Sequence, residues 1–123
     1  MLGHITTFGG HPVCCAAGMA AFKVLLQNDF GVSKKEQLFK SGLQNSKINF
    51  LRSFGLWLAI EFESFEICKA VIDKCIEGGL ITDWFLFSSN CLRISPPLTI
   101  SEEQIKNACE TINNSIGQVC SLR

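Results

Sequence analysis

The chain has 123 residues, and its 11 Lys and Arg balance 11 Asp and Glu, so it carries no charge footprint for nucleic acid or an anionic membrane surface. Its 47% hydrophobic content is high for one domain of this size and fits a chain that buries one face in its own core and another against a further domain or subunit. No apolar run reaches the ~18 residues of a membrane span, and the start lacks the charged, apolar and small-residue pattern of a secretory leader, so a cytoplasmic location is expected.

Pro12 opens the first predicted helix, capped by His11 or Gly10, because a proline's missing N–H costs nothing in a first turn. The helix carries Val13, Ala16, Ala17, Ala20, Ala21, Val24 and Leu25, apolar on most faces and so expected to be buried on most faces. Gly18 within it points to close packing against a neighbour. Asn28-Asp29-Phe30-Gly31 ends it. Ser33-x-x-Glu36 has the spacing of a capping box and starts a second helix reaching about Gln44. Ile48 to Arg52 and Leu56 to Phe62 then alternate as strands, with Leu56, Leu58, Ile60 and Phe62 on one face. A third helix carries Phe65, Cys68, Val71, Ile72, Cys75 and Ile76 on one stripe and stops at Gly78-Gly79. Trp84 to Phe87 fits a strand or a buried loop.

Cys91 to Ile94 is a strand, and alternation puts Leu92 and Ile94 on one face and Arg93 on the other. Pro96 and Pro97 cannot donate ladder hydrogen bonds, so the strand stops there. Ser101 is an N-cap, followed by Glu102 and Glu103 in the first turn and by Gln104 at the capping-box position. The final helix shows Ile105, Ala108, Cys109, Ile112 and Ile116. Paired strands with helices between them give an α+β fold: a small, mostly antiparallel sheet covered on one face by helices.

The seven cysteines, at 14, 15, 68, 75, 91, 109 and 120, include no C-x-x-C pair. Cys68 and Cys75 fall two helical turns apart, roughly 10 Å along the axis, too far to bridge. Reduced thiols without a metal are expected, most of them acting as small hydrophobes. A rigid arginine at a strand end suits bidentate recognition of a carboxylate, but by pattern alone a surface ion pair is the better reading of Arg93. Thr7-Phe8-Gly9-Gly10 fits a glycine turn ahead of a helix.

Three runs, taken together, resemble the class III (ornithine-type) aminotransferases. Thr7-Phe8-Gly9-Gly10-His11-Pro12 is similar to the family's threonine-aromatic-glycine-glycine-(Asn/His)-proline segment, with an alanine-rich helix after it. Leu51-Arg52-Ser53-Phe54-Gly55-Leu56 is similar to its arginine-glycine-x-glycine-leucine hairpin, although Ser53 stands at a usual glycine, with Phe54 after it, which leaves the turn type open. Cys91-Leu92-Arg93-Ile94-Ser95-Pro96-Pro97-Leu98 resembles its substrate-carboxylate segment.

The resemblance spans nearly the whole chain in the family's order. It implies the C-terminal small domain of a pyridoxal-phosphate enzyme that moves an amino group from an amino acid, such as ornithine, to a 2-oxo acid. Residues 1–11 would be a loop near the cofactor and the subunit interface, 12–29 a connecting helix, and 33–118 the α+β core. Arg93 would hold the substrate carboxylate. Thr7 would place its hydroxyl on the cofactor phosphate of the neighbouring subunit of a homodimer, with Gly9 and Gly10 letting the backbone pass close by. The family's Schiff-base lysine and the acidic partner of the pyridinium nitrogen lie in the large domain that precedes this part. No catalytic lysine is therefore expected among the eight here, and the chain alone should be inactive. The alternative is a stand-alone, non-catalytic α+β interaction module derived from that domain.

Overall fold

Pro12 does start a helix. In the computed structural model, which describes residues 7–121, α1 (Pro12–Gln27) is capped by the His11 side chain, whose Nδ1 accepts from the Val13 N–H at 3.3 Å. Before it lies a turn at residues 7–10, where Gly10 takes φ 81° and the His11 N–H donates to the Phe8 carbonyl at 3.1 Å. The expected burial of this helix is not found: none of its residues is buried, and Leu26 is 72% exposed. Its apolar residues are spread around the helix rather than gathered on one stripe, so no single face is marked for burial. Gly18 likewise meets no neighbour, since a Cβ there would find nothing within 4 Å. Residues 1–6, which carry the start of the expected cofactor-proximal loop, lie outside the described residues. The chain divides into two units, Met1–Phe30 and Gly31–Arg123.

The second unit builds its own core. It runs α2 (Val32–Gly42), β1 (Phe50–Phe54), β2 (Trp57–Glu61), α3 (Phe65–Glu77), β3 (Asp83–Phe85), β4 (Ser88–Ile94) and α4 (Glu102–Cys120). The capping box expected at Ser33 does not form: α2 is entered through Gly31, left-handed at φ 61°, with no side-chain cap. Glu36 instead accepts from the Ser53 hydroxyl on β1 and pairs with Lys40 at 3.6 Å. A tertiary partner outbids the local one. At Ser101, by contrast, the box is complete, with the Gln104 N–H donating to Ser101 Oγ at 3.1 Å and the Ser101 N–H to Gln104 Oε1 at 2.9 Å. Helix α3 ends in the paired bonds of a Schellman motif, with Leu80 N–H to the Cys75 carbonyl at 2.8 Å and Gly79 N–H to Ile76 at 3.0 Å. Gly79 supplies the left-handed φ of 84° that this ending needs.

The four strands form one antiparallel sheet in the order β1-β2-β4-β3. Phe54 pairs with Trp57 around Gly55-Leu56, and the positive φ falls on Gly55 alone, the glycine-first pattern of a type II′ turn. Burial alternates along β1 and β2, whereas β4 buries the successive Cys91 and Leu92 on opposite faces. Leu58, Ile60, Leu92 and Ile94 are buried on the face that meets the helices, together with Phe39, Val71, Ile72, Ile105, Ile112 and Ile116. Helices α2 and α4 approach closely enough at Gly42 that a Cβ there would lie 2.8 Å from Cys109 Sγ. The Asn113 amide, donating to the Gly42 carbonyl at 2.7 Å, ties the same crossing. Phe65 and Ile76, expected on the buried stripe of α3, are 37% and 51% exposed and mark its edges.

All seven thiols are free. Cys68, Cys75, Cys91 and Cys109 are buried, Cys120 is half-buried, and Cys14 and Cys15 are exposed with the rest of α1. Burial pushes the Cys68 thiol up to about 12 and Cys109 to about 11. These groups stay protonated at neutral pH and behave as apolar filling. Among the described residues no group of His, Cys, Asp and Glu is placed to hold a metal ion, and no helix is long and apolar enough to cross a membrane.

Candidate functional site

The open face of the sheet carries two arginines in very different states. Register puts Arg52, Ala59, Arg93 and Asp83 in one row across all four strands, because Arg52 pairs with Ala59, Ala59 with Arg93, and Arg93 with Asp83. All four project from the face away from the buried Leu58, Leu92 and Ile94. Ala59, small and central, keeps the floor between the two guanidinium groups low.

Arg52 is committed. Its Nη2 donates to Glu61 Oε2 at 2.7 Å and reaches Cys91 Sγ at 3.5 Å. The hydrogen bond it donates to Glu61, and then that carboxylate's charge, raise its pKa above the ordinary value. Arg93 is not committed. Among the described residues its ion pair is with Asp83, Nη2 to Oδ2 at 3.8 Å, beyond the ~2.7–2.9 Å of a charge-assisted hydrogen bond. Its fork of N–H donors is therefore available to an incoming carboxylate.

The backbone beneath Arg93 is fixed from several sides. Leu92 and Ile94 are buried on either side of it, and Thr82 Oγ1 donates to the Arg93 carbonyl at 2.6 Å. Past the strand end, Lys35 Nζ donates to the Leu98 carbonyl at 2.6 Å, pinning the Pro96-Pro97 segment to α2, and the Ile100 N–H closes a turn on Pro97 at 3.0 Å. Lys35 is half-buried by this role. Arg93 lines two clefts. One of about 550 Å³ runs along Ile81, Thr82, Asp83 and Pro96. The other, of about 400 Å³, is bounded by Arg52, Ala59, Phe87 and Cys91. A charged fork set on a rigid strand between two part-apolar clefts can orient a small carboxylic acid by its carboxylate and leave the rest of the molecule in the cleft.

Thr7, Gly9 and Gly10 fall together in the exposed turn ahead of α1, in the other unit from Arg93. An exposed hydroxyl followed by side-chain-poor backbone at a helix start fits the phosphate end of a cofactor such as pyridoxal phosphate. Of the eight lysines, Lys34, Lys40, Lys69 and Lys74 are paired with Glu102, Glu36, Asp73 and Glu77, and Lys35 is engaged by the Leu98 carbonyl. Sequence reasoning singled out Arg93 and the threonine turn and did not name Thr82 and Asp83, which the fold sets beside Arg93. Their only signal is strand pairing, which composition in the 80–87 stretch does not reveal.

The comparisons with known proteins point one way. A profile of the family described as Aminotransferase class-III matches residues 1–116. The acetylornithine aminotransferase of Caldanaerobacter subterraneus subsp. tengcongensis is 32% identical over 94% of this chain and 30% of its own length. The putrescine aminotransferase of Pectobacterium atrosepticum is 34% identical over 82% of this chain and 23% of its own length. Among solved structures, the ornithine aminotransferase of Toxoplasma gondii ME49 superposes with a TM-score of 0.81 at 27% identity, covering 98% of this chain and 30% of that one. The chain thus spans less than a third of the length of these relatives.

Proposed function

This chain belongs to the class III aminotransferases, and we propose that it serves as the C-terminal small domain of a pyridoxal-phosphate transaminase that moves an amino group from an amino acid such as ornithine to a 2-oxo acid. The observation that carries this reading is Arg93: a strand-end guanidinium, rigidly based, facing away from the core, without a committed hydrogen-bonded partner among the described residues. In the full-length enzyme it binds the substrate carboxylate through two parallel N–H donors. Thr7 donates its hydroxyl to the phosphate of the cofactor bound in the partner subunit of a homodimer, and Gly9 and Gly10 let the backbone approach. When bound in the preceding large domain, pyridoxal phosphate supplies the carbonyl that accepts the amino group and the electron sink that makes the transfer possible. The large domain also supplies the reactive lysine, so residues 1–123 alone have no transaminase activity. Residues 1–11 serve as the cofactor-proximal segment, α1 as the connecting helix and residues 33–118 as the folded core. The apolar α1 supports this arrangement, since a helix with that composition requires a covering surface. The enzyme works in the cytoplasm.

The test is Arg93→Lys in the full-length enzyme. An ammonium replaces a two-pronged donor by a point charge, and losing one charge-assisted hydrogen bond costs about 1.5–3 kcal/mol, so the KM for the 2-oxo acid should rise about ten- to a hundredfold while cofactor binding is kept. Arg93→Ala should be worse. Half-reaction kinetics at wild-type efficiency in Arg93→Ala would remove Arg93 from the site.

A further inference from the structure

Arg93's charged neighbour carries a consequence for substrate affinity. We propose that Asp83 is a built-in competitor for the substrate carboxylate: it faces the Arg93 guanidinium when no substrate is present and thereby sets how tightly a carboxylate binds. The inference rests on the reading of Arg93 as the carboxylate anchor.

Geometry supports it at four points. Asp83 is the register partner of Arg93 on the adjacent strand, so their apposition is set by the sheet and not by a long side chain reaching over. Asp83 Oδ1 accepts from the Trp84 N–H at 2.8 Å, which turns Oδ2 towards Arg93. At 3.8 Å, the pair attracts by charge without forming a committed hydrogen bond. Arg52 and Glu61, at 2.7 Å on the same face, show what a committed pair looks like. Both members of the Arg93–Asp83 pair are about half exposed, with side-chain exposures of 42% and 54%, so another carboxylate has access to the guanidinium.

A substrate carboxylate arriving at Arg93 meets Asp83 as a like charge. It must displace the aspartate from the guanidinium or share the group at a repulsive cost. Asp83 therefore weakens carboxylate binding. A purely orienting ion pair would do the opposite, since its loss would leave Arg93 misaimed and weaken binding further. The sign of the effect separates the two roles.

The experiment uses the full-length holoenzyme carrying Asp83→Asn or Asp83→Glu, with 2-oxoglutarate and ornithine as probes and Arg93→Lys measured alongside. Exposed ion pairs are weak, so Asp83→Asn should lower KM for both carboxylates about two- to fivefold, with kcat moving less than twofold. The gain should shrink as salt is raised, because the interaction is screened. Asp83→Glu, which keeps the charge, should keep or raise KM. A raised KM in Asp83→Asn would make Asp83 an orienting residue and overturn the proposal. An unchanged KM in Asp83→Asn while Arg93→Lys is impaired would make Asp83 a bystander. Wild-type behaviour of Arg93→Lys would instead remove the anchor reading and this inference with it.

Discussion

Helices α1 and α4 are both rich in apolar residues, yet one is exposed along its whole length and the other is held in the core. In α4 the apolar residues recur at 105, 109, 112 and 116, one stripe of a 3.6-residue period, and all four are buried. In α1, Val13, Met19, Phe22, Val24 and Leu26 point around the helix, and each is exposed. Apolar content alone does not bury a helix. A stripe selects a partner surface within the same unit, whereas an all-round apolar helix needs surfaces on several sides. The same contrast holds between arginines: Arg52 is satisfied by its own hairpin, and Arg93 is left open to something outside it.

The largest effect expected from this contrast is on stability. Phe39 is 1% exposed at the centre of the second unit, and Phe39→Ala should destabilise the chain by about 3–5 kcal/mol in urea unfolding. Phe22→Ala on α1, where the side chain is 57% exposed, should shift stability by less than about 0.5 kcal/mol. Equal losses from the two would mean that α1 is part of the same cooperative core, and the comparison would break.

A smaller effect should come from Ser101, where local sequence and tertiary structure agree. Ser101→Ala removes the acceptor for the Gln104 N–H and should cost about 0.5–2 kcal/mol. Ser33→Ala, at a capping-box spacing that forms no box, should be nearly silent by the same thermal-melt measurement. A loss at Ser33 as large as at Ser101 would show that the local signature operates in solution after all.

The smallest effect is a pH dependence. Hydrogen bonding from Ser53, and then the charge of Lys40, hold Glu36 below its ordinary 4.5. A depressed folded-state pKa stabilises above the unfolded value, and that contribution is lost as pH falls below 4.5 through the lower folded value. Glu36→Gln should therefore flatten part of the stability decline below pH 4.5 and leave its shape above pH 6 unchanged. Denaturation midpoints of the two proteins between pH 3 and 7 would show this, and parallel curves would count against it.

Much of the second unit was legible from residues 31 to 121 because short-range rules decide it. Alternation placed Leu58, Ile60, Leu92 and Ile94 inward and Arg93 outward, proline ended β4, and the Ser101 box began α4. Each depends on neighbours within four positions, which is all a sequence displays directly. What lay beyond that range was decided by the fold. Glu36 left its own helix start for Ser53, 17 residues away, and Lys35 left solvent for the Leu98 carbonyl, 63 residues away. Asp83 came to face Arg93 only because β3 adds to the edge of β4. A side chain's partner is set by the lowest free energy over all groups within reach. Local sequence lists only the nearest of these groups, and strand pairing brings the others into place.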